Sequence, residues 1–357
     1  MIDELVCAGT ANPTDLVSDR AQDPSPAIVT GVLDGLLLAG EWSFRQLYWR
    51  SALLRNWIKR QRATKATPIQ VAPRQDLIDY LRVIGVTPGA LIMAHTSVTG
   101  LSFDPEALSK GQTPNSLQVA QDLVFMLEEL IGDTGTLVMP THPVYKNRSG
   151  SPNVEAAPPI YNPRTTPCGV GLANELFWRQ DGTQRSLYPH NTLAARGPLA
   201  ESFLANNLND SKPLPHGTHS GYHRFCQRNG LLISIGVPLA SCFTLVHAAE
   251  EARDEHFPVR DFFEERNYLL RHAGQDRPVT IRKTRTEFMM FSLCIRKLRR
   301  DLVAAGILHE GRVGTIRVDW AFSNDVFRFI SDRNRTTTYP YFGTSLVARK
   351  FRAHANP

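Results

Sequence analysis

Hydrophobic positions along this chain change their period several times, and those changes predict an ordered series of elements. Residues 76–86 (DLIDYLRVIGV) repeat apolar positions at helical spacing and predict an amphipathic helix, followed by a strand over 90–98. The run 115–132 predicts a second helix ending on Gly132, and 136–142 (TLVMPTH) the next strand. Residues 170–180 read as a short helix, 192–197 as a strand, and 198–207 as a helix opened by Pro198. The segment 230–237 (GLLISIGV) is apolar throughout, as a strand buried on both faces would be. Residues 244–255 then predict a helix with Thr244 near its start. Further on, 267–273, 278–285 and 314–322 alternate like antiparallel strands around one more helix at 291–306. Alternation of this kind argues for an α/β layered fold.

The first quarter behaves differently. Residues 1 to 25 are polar and rich in Asp, Pro and Ser, which predicts disorder, and 27–62 read as helical. The second half of that helical stretch carries Arg45, Arg50, Arg55, Lys59, Arg60 and Arg62 among three tryptophans. Its basic residues do not gather on one face. An arm packed on the body or on a second subunit therefore competes with a membrane-surface or polyanion-binding helix. Pro68 and Pro73 punctuate a linker, so the expected organisation is an N-terminal extension over 1–70 and a catalytic domain over 71–350.

Composition narrows the class. The chain has 357 residues, 42% of them hydrophobic and 21% charged, as expected of a globular protein with a large core. A formal charge of +6 permits a polyanionic partner without requiring one. The five cysteines, Cys7, Cys168, Cys226, Cys242 and Cys294, lie far apart and form no CxxC pair, which fits free thiols and a cytoplasmic setting. The acidic N-terminus does not resemble a signal peptide, and 27–40 is too short and too polar at Asp34 to span a bilayer.

Candidate chemistry concentrates in two stretches. RSLYPHNTLAARG places Arg185, Tyr188 and His190 before a strand, and TLVHAAE sets His247 and Glu250 three residues apart, on one face of a helix. An imidazole, a carboxylate and a phenol converging from two elements could take a proton from an attacking amine. Buried polar residues with purely structural partners would leave the same trace. His216, His219 and His223 have tempting metal spacing, but Gly217 and Gly221 break any helix that would align them, so no metal is expected. TTPCGVG, with Thr165, Thr166, Cys168 and Gly169 before a helix start, suits a phosphate or a polarised carbonyl, or is an ordinary cap. The acidic run from Glu250 to Glu265 is either a solvated face or a wall for a cationic amine.

Read together, these segments resemble the aminoglycoside 3-N-acetyltransferases, the antibiotic N-acetyltransferase family. AHTSVTG, GTLVMPTHP, TPCGVG, RSLYPHNTLAARG and the Thr244–His247–Glu250 triplet follow the family's blocks in order, between about residues 75 and 345. The resemblance implies a layered α/β fold distinct from GNAT acetyltransferases, with a mixed central sheet and, here, an N-terminal helical extension. It implies acetyl-CoA as cosubstrate and transfer of its acetyl group to the amine of an amino sugar or aminoglycoside-like acceptor. His95, Thr96, Ser97, Thr166, Gly169 and Thr244 would line the pantetheine arm. Glu250, His247, His190 and Tyr188 would form the catalytic group, with Glu251 and Asp254 holding a cationic acceptor. One position departs: Tyr188 stands where the family's HP histidine, implied to share the proton-accepting role, is expected. His190 could replace it, His247 with Glu250 could act alone, Tyr188 could protonate the leaving thiolate, or the chain could be an inactive scaffold. The implied partner is a small amine, in surface-polysaccharide or secondary-metabolite synthesis or in resistance. No nucleic acid is expected, and a homodimer is allowed.

Overall fold

Three strands that run the same way at the centre of one sheet set the position of everything functional. The computed structural model describes residues 40, 43–45, 47–48, 51–63, 68–145, 157–205, 207–242, 244–257, 259, 261–285, 288, 293–335 and 337–341. The elements in chain order begin with α1 (Ala52–Ala63), β1 (Gln70–Val71), α2 (Arg74–Val83), β2 (Leu91–Thr96), β3 (Leu101–Ser102), α3 (Pro105–Ser109) and α4 (Ser116–Ile131). Then come β4 (Thr136–Pro140), β5 (Ile160–Tyr161), α5 (Leu172–Arg179), β6 (Gln184–Arg185), β7 (Leu193–Arg196), α6 (Ala200–Leu204) and α7 (Gly221–Gln227). The remainder is β8 (Leu231–Ile235), α8 (Val246–Glu251), β9 (Phe263–His272), β10 (Gln275–Thr284), α9 (Ile295–Ala304), β11 (His309–Val313), β12 (Ile316–Phe322) and α10 (Ser323–Asn334).

The main sheet has seven strands in the order β11-β12-β8-β2-β4-β7-β6. β8, β2 and β4 are mutually parallel, and the strands outside them pair antiparallel. Every residue of β4 and β8 is buried, which explains why Thr136 and Ser234 are their only polar residues. Helix α4 covers one face with Val119, Leu123, Met126, Leu127 and Leu130. The other face packs on α7, α8 and α10 through Phe225, Val246, Ala249, Val326 and Ile330. β9 and β10 form a ten-residue antiparallel ribbon to which β5 adds a short parallel strand. Both the mixed sheet and its helical layers match the expected fold class.

Three local expectations are corrected. The helix expected over 198–207 covers only Ala200–Leu204, because the Arg224 guanidinium takes the carbonyls of Phe203 and Ala205 and draws the chain out of the helix. The helix expected over 244–255 stops at Glu251 and passes into a 3-10 turn at Asp254–His256. The linker contains β1, which pairs with β3. The N-terminal disorder and the helix over 27–39 fall outside the described residues. Within the arm, Arg45 donates to the Leu293 carbonyl at 2.8 Å, so it touches the body there. Among the described residues no helix is long and apolar enough to cross a membrane.

Candidate active site

Parallel strands deliver their carboxyl ends to one edge, and a cleft of about 780 Å³ opens there. His95 and Thr96 from the end of β2, Ser97 beyond it, Pro140 at the end of β4, His142 just after it, and Val237 after β8 form its floor. Gly169 to Leu172 close one side, at the start of α5. Gly171 caps that helix at φ +134°, in the region that favours glycine. Its carbonyl accepts the first helical bond, from Glu175 N at 3.0 Å, which leaves the amides of Leu172, Ala173 and Asn174 without helical acceptors. Asn174 is fixed by Thr96 Oγ1 at 3.2 Å and donates to the Pro140 carbonyl at 2.7 Å, tying α5 to the ends of β2 and β4.

The opposite wall carries His247, delivered by α8. Its Nδ1 bonds Glu250 Oε1, and the Tyr341 hydroxyl donates to the same oxygen at 2.8 Å. A carboxylate behind Nδ1 sets the tautomer, so Nε2 is the unprotonated nitrogen. Burial alone would lower the His247 pKa, but the charge and hydrogen bond of Glu250 outweigh it and the net shift is upward. Burial also raises the Glu250 carboxyl, against the pull of His247 and Tyr341. The two share one proton and titrate as a pair.

Behind this pair lies another. His216 and Glu251 are 1% and 2% exposed, with His216 Nδ1 2.8 Å from Glu251 Oε1. The His216 ring sits 5.3 Å from that of His247 and 4.5 Å from Tyr222. His142 Nε2 meets the Tyr222 hydroxyl at 3.4 Å. Burial, followed by repulsion from neighbouring imidazoles, holds His95 and His142 neutral with pKa values of about 3, and pushes His216 well below the ordinary histidine value. His247 is the one imidazole of this cluster whose partner makes it more basic.

Most of the expected contacts are brought together, and some are not. His95, Thr96, Ser97, Gly169, Thr244 and His247 all line the cleft. Thr166 does not: its Oγ1 accepts the Asn162 amide at 2.9 Å, and its carbonyl accepts Arg185 Nη1 at 2.5 Å. Arg185 is a strut, donating also to the Thr141 carbonyl at 2.7 Å and lying 4.4 Å over the Trp178 ring. Tyr188 points away from the cleft. It is 3% exposed, packs with Tyr268 and Ile281, and donates to the Pro213 carbonyl at 2.8 Å. His190 also lies off the wall, held to about 3 by burial and then by Lys283 and the imidazoles around it. The next residue, Asn191, lines the cleft instead.

The acidic run is not an open wall. Glu251 serves His216, and Asp254 pairs with Arg282 at 2.6 Å. Glu264 pairs with Lys283 at 2.7 Å and Glu265 with Lys212 at 2.6 Å. Among the described residues no three His, Cys, Asp or Glu side chains are grouped to hold a metal. Four site residues carried no reading of their own in the sequence: His142, Asn191, His216 as a carboxylate partner, and Tyr341. His142 was detectable as the residue just past a buried strand in TLVMPTH, but nothing local marks Tyr341, 91 residues beyond Glu250.

Comparison with known proteins supplies the context. The family model for aminoglycoside 3-N-acetyltransferase matches residues 109–333. Among curated relatives, aminoglycoside N(3)-acetyltransferase IV of Salmonella sp is 28% identical over 255 residues, covering 67% of this chain and 87% of its own. Aminoglycoside N(3)-acetyltransferase IX of Micromonospora chalcea is 25% identical over 272 residues, covering 72% and 89%. Among solved structures, aminoglycoside acetyltransferase AAC(3)-Xa superposes with a TM-score of 0.59 at 24% identity, covering 74% of this chain and 94% of that one. AAC-IIIb, as its binary complex with CoASH, gives 0.58 at 19% identity, covering 74% and 98%.

Proposed function

Because the chain belongs to the aminoglycoside 3-N-acetyltransferase family, we propose that it is an acetyl-CoA-dependent N-acetyltransferase acting on the amine of an amino sugar or aminoglycoside-like acceptor. The observation that carries this reading is the His247–Glu250 pair, with its imidazole on the wall of a cleft wide enough for a pantetheine tail and an acceptor.

The cleft suits that cosubstrate on its own terms. Val98, Val170, Leu172 and Val237 give it apolar walls for an extended thiol arm. The amides at the start of α5, left without helical acceptors, supply donors on that side of the cleft. When bound, acetyl-CoA supplies a thioester whose carbonyl carbon an amine can attack.

His247 Nε2 then accepts a proton from the attacking amine, and Glu250 holds Nδ1–H and stabilises the imidazolium that forms. Tyr341 keeps that carboxylate from turning away. The amide of Leu172, on the cleft wall, is a donor for the negative charge that would grow on the carbonyl oxygen, as pre-oriented donors are in acyl transfer. When that oxyanion collapses, the thiolate would be expelled and the His247 imidazolium could give it the proton taken from the amine. Holding amine and thioester side by side supplies much of the acceleration.

In this reading the exchange of histidine for Tyr188 costs no proton-transfer group, since the side chain at that position packs elsewhere. His95, Thr96, Ser97, Gly169 and Thr244 are assigned to the cosubstrate, and Thr166 to supporting Arg185. Glu250→Gln is expected to lower turnover by about 10²–10⁴-fold, with CoA still binding by calorimetry. Near-normal turnover in that variant refutes the assignment.

A further inference from the structure

Glu250 and Glu251 are consecutive, each serves an imidazole, and only the first of those imidazoles reaches the cleft directly. The second is sealed in, and Glu251 spends both oxygens on it: Oε1 on the ring Nδ1 at 2.8 Å, Oε2 on the backbone N–H of His216. A carboxylate accepting at both oxygens requires Nδ1 to carry the hydrogen, so Nε2 is left with its lone pair. That lone pair faces Asn191 Nδ2 at 3.3 Å. An amide whose nitrogen is engaged behind the wall turns its oxygen forward, and Asn191 lines the cleft together with His247. Its backbone is held in the left-handed region at φ +46°, which asparagine tolerates and which orients the side chain.

We propose that Glu251 and His216 form a positioning relay that fixes the Asn191 carboxamide oxygen as a specificity-determining hydrogen-bond acceptor. Its ligand is an O–H or N–H of the acceptor molecule close to the reacting amine. The class of substrate is therefore an amine flanked by a hydroxyl or a second amine, not an isolated alkylamine. This rests on the acetyltransferase reading above and concerns a different set of residues from the proton-transfer pair.

Glu251→Gln tests the relay with almost no change of shape. The glutamine oxygen must take the His216 backbone N–H, because two donors cannot face each other. Its NH₂ then donates to Nδ1, the ring hydrogen moves to Nε2, and Asn191 must turn its oxygen inward and its NH₂ toward the acceptor. Kinetics are compared near pH 9, above the value of about 8 to which burial raises the Glu251 carboxyl. The expected result is an acceptor KM about tenfold higher, with kcat and the KM for acetyl-CoA nearly unchanged. Adding Asn191→Asp to that variant restores the acceptor KM, since aspartate offers an oxygen at both ends. An unchanged acceptor KM in Glu251→Gln, or no recovery in the double variant, overturns the proposal.

Should Glu251→Gln fail to fold, nitrogen NMR of the His216 ring in the wild-type chain at that same pH decides. Hydrogen on Nδ1 is expected, and hydrogen on Nε2 overturns the relay. That measurement needs no turnover, so it also separates the two ideas. A wild-type chain that acetylates no amine yet shows Nδ1–H sinks the acetyltransferase reading and leaves the relay standing.

Discussion

The walls of the cleft and the β9–β10 ribbon draw on one acidic run, and they use it in opposite ways. Glu250 and Glu251, both buried, are matched to imidazoles, whose tautomers they set. A few residues on, Asp254, Glu264 and Glu265 are matched to arginine or lysine, whose protons stay where they are. Burial and the identity of the partner, more than the carboxylates themselves, decide which end of the run can do chemistry. The Lys212–Glu265 pair, at the surface, holds geometry and little energy, as exposed ion pairs generally do.

The sharpest way to break this contrast is through the pH profile of acetyl transfer. His247 must be neutral to accept a proton, and Glu250 raises its pKa above the ordinary histidine value. Activity should therefore fall about tenfold per pH unit on the acid side of that ionisation. Tyr341→Phe removes a donor from Glu250, makes the carboxylate more basic, and should move the acid limb to higher pH while lowering kcat at pH 7 by about threefold to tenfold. An acid limb that stays put in this variant separates Tyr341 from the pair.

A smaller effect should appear in stability. His95 is neutral in the fold down to about 3, whereas the unfolded chain binds that proton near 6.5. Stability is therefore full above 6.5 and is lost as pH falls toward 3, by about 2 kcal/mol at pH 5 from this residue. His216 contributes in the same direction, and His247, being raised, in the other. Denaturant midpoints between pH 7 and 5 measure the sum, and His95→Asn should flatten the dependence. The smallest effect belongs to the ribbon side. Asp254→Asn should cost no more than about 1 kcal/mol in thermal melts and leave the acceptor KM unchanged. A large rise in that KM would return Asp254 to the role of holding the acceptor.

Much of this was readable from the chain, and the failures have physical causes. The strands at 91–96, 136–140 and 231–235 announced themselves because both faces are buried, and the helix at 116–131 because its apolar stripe faces the sheet. β1, β3, β5 and β6 are two-residue strands whose existence depends on a partner distant in sequence, and no local period encodes that. In the site, His247 and Glu250 were legible because a helix alone brings residues three apart together. Tyr341 and His216 meet those glutamates only through the fold. Around Tyr188 and His190 the chain turns at Asn191, which has positive φ; the Tyr188 ring is buried against Tyr268 and the Asn191 amide is on the wall. Sequence identified the segment, and backbone geometry chose the residue.

Two adjacent carboxylates on one short helix leave it about 100° apart around the axis, so they behave like two teeth of a single gear. Any insertion or deletion just ahead of Val246 would rotate both away from their imidazoles in the same stroke. Drift along this lineage can thus retune either circuit by substitution, but it can alter the length of this turn only by giving up both.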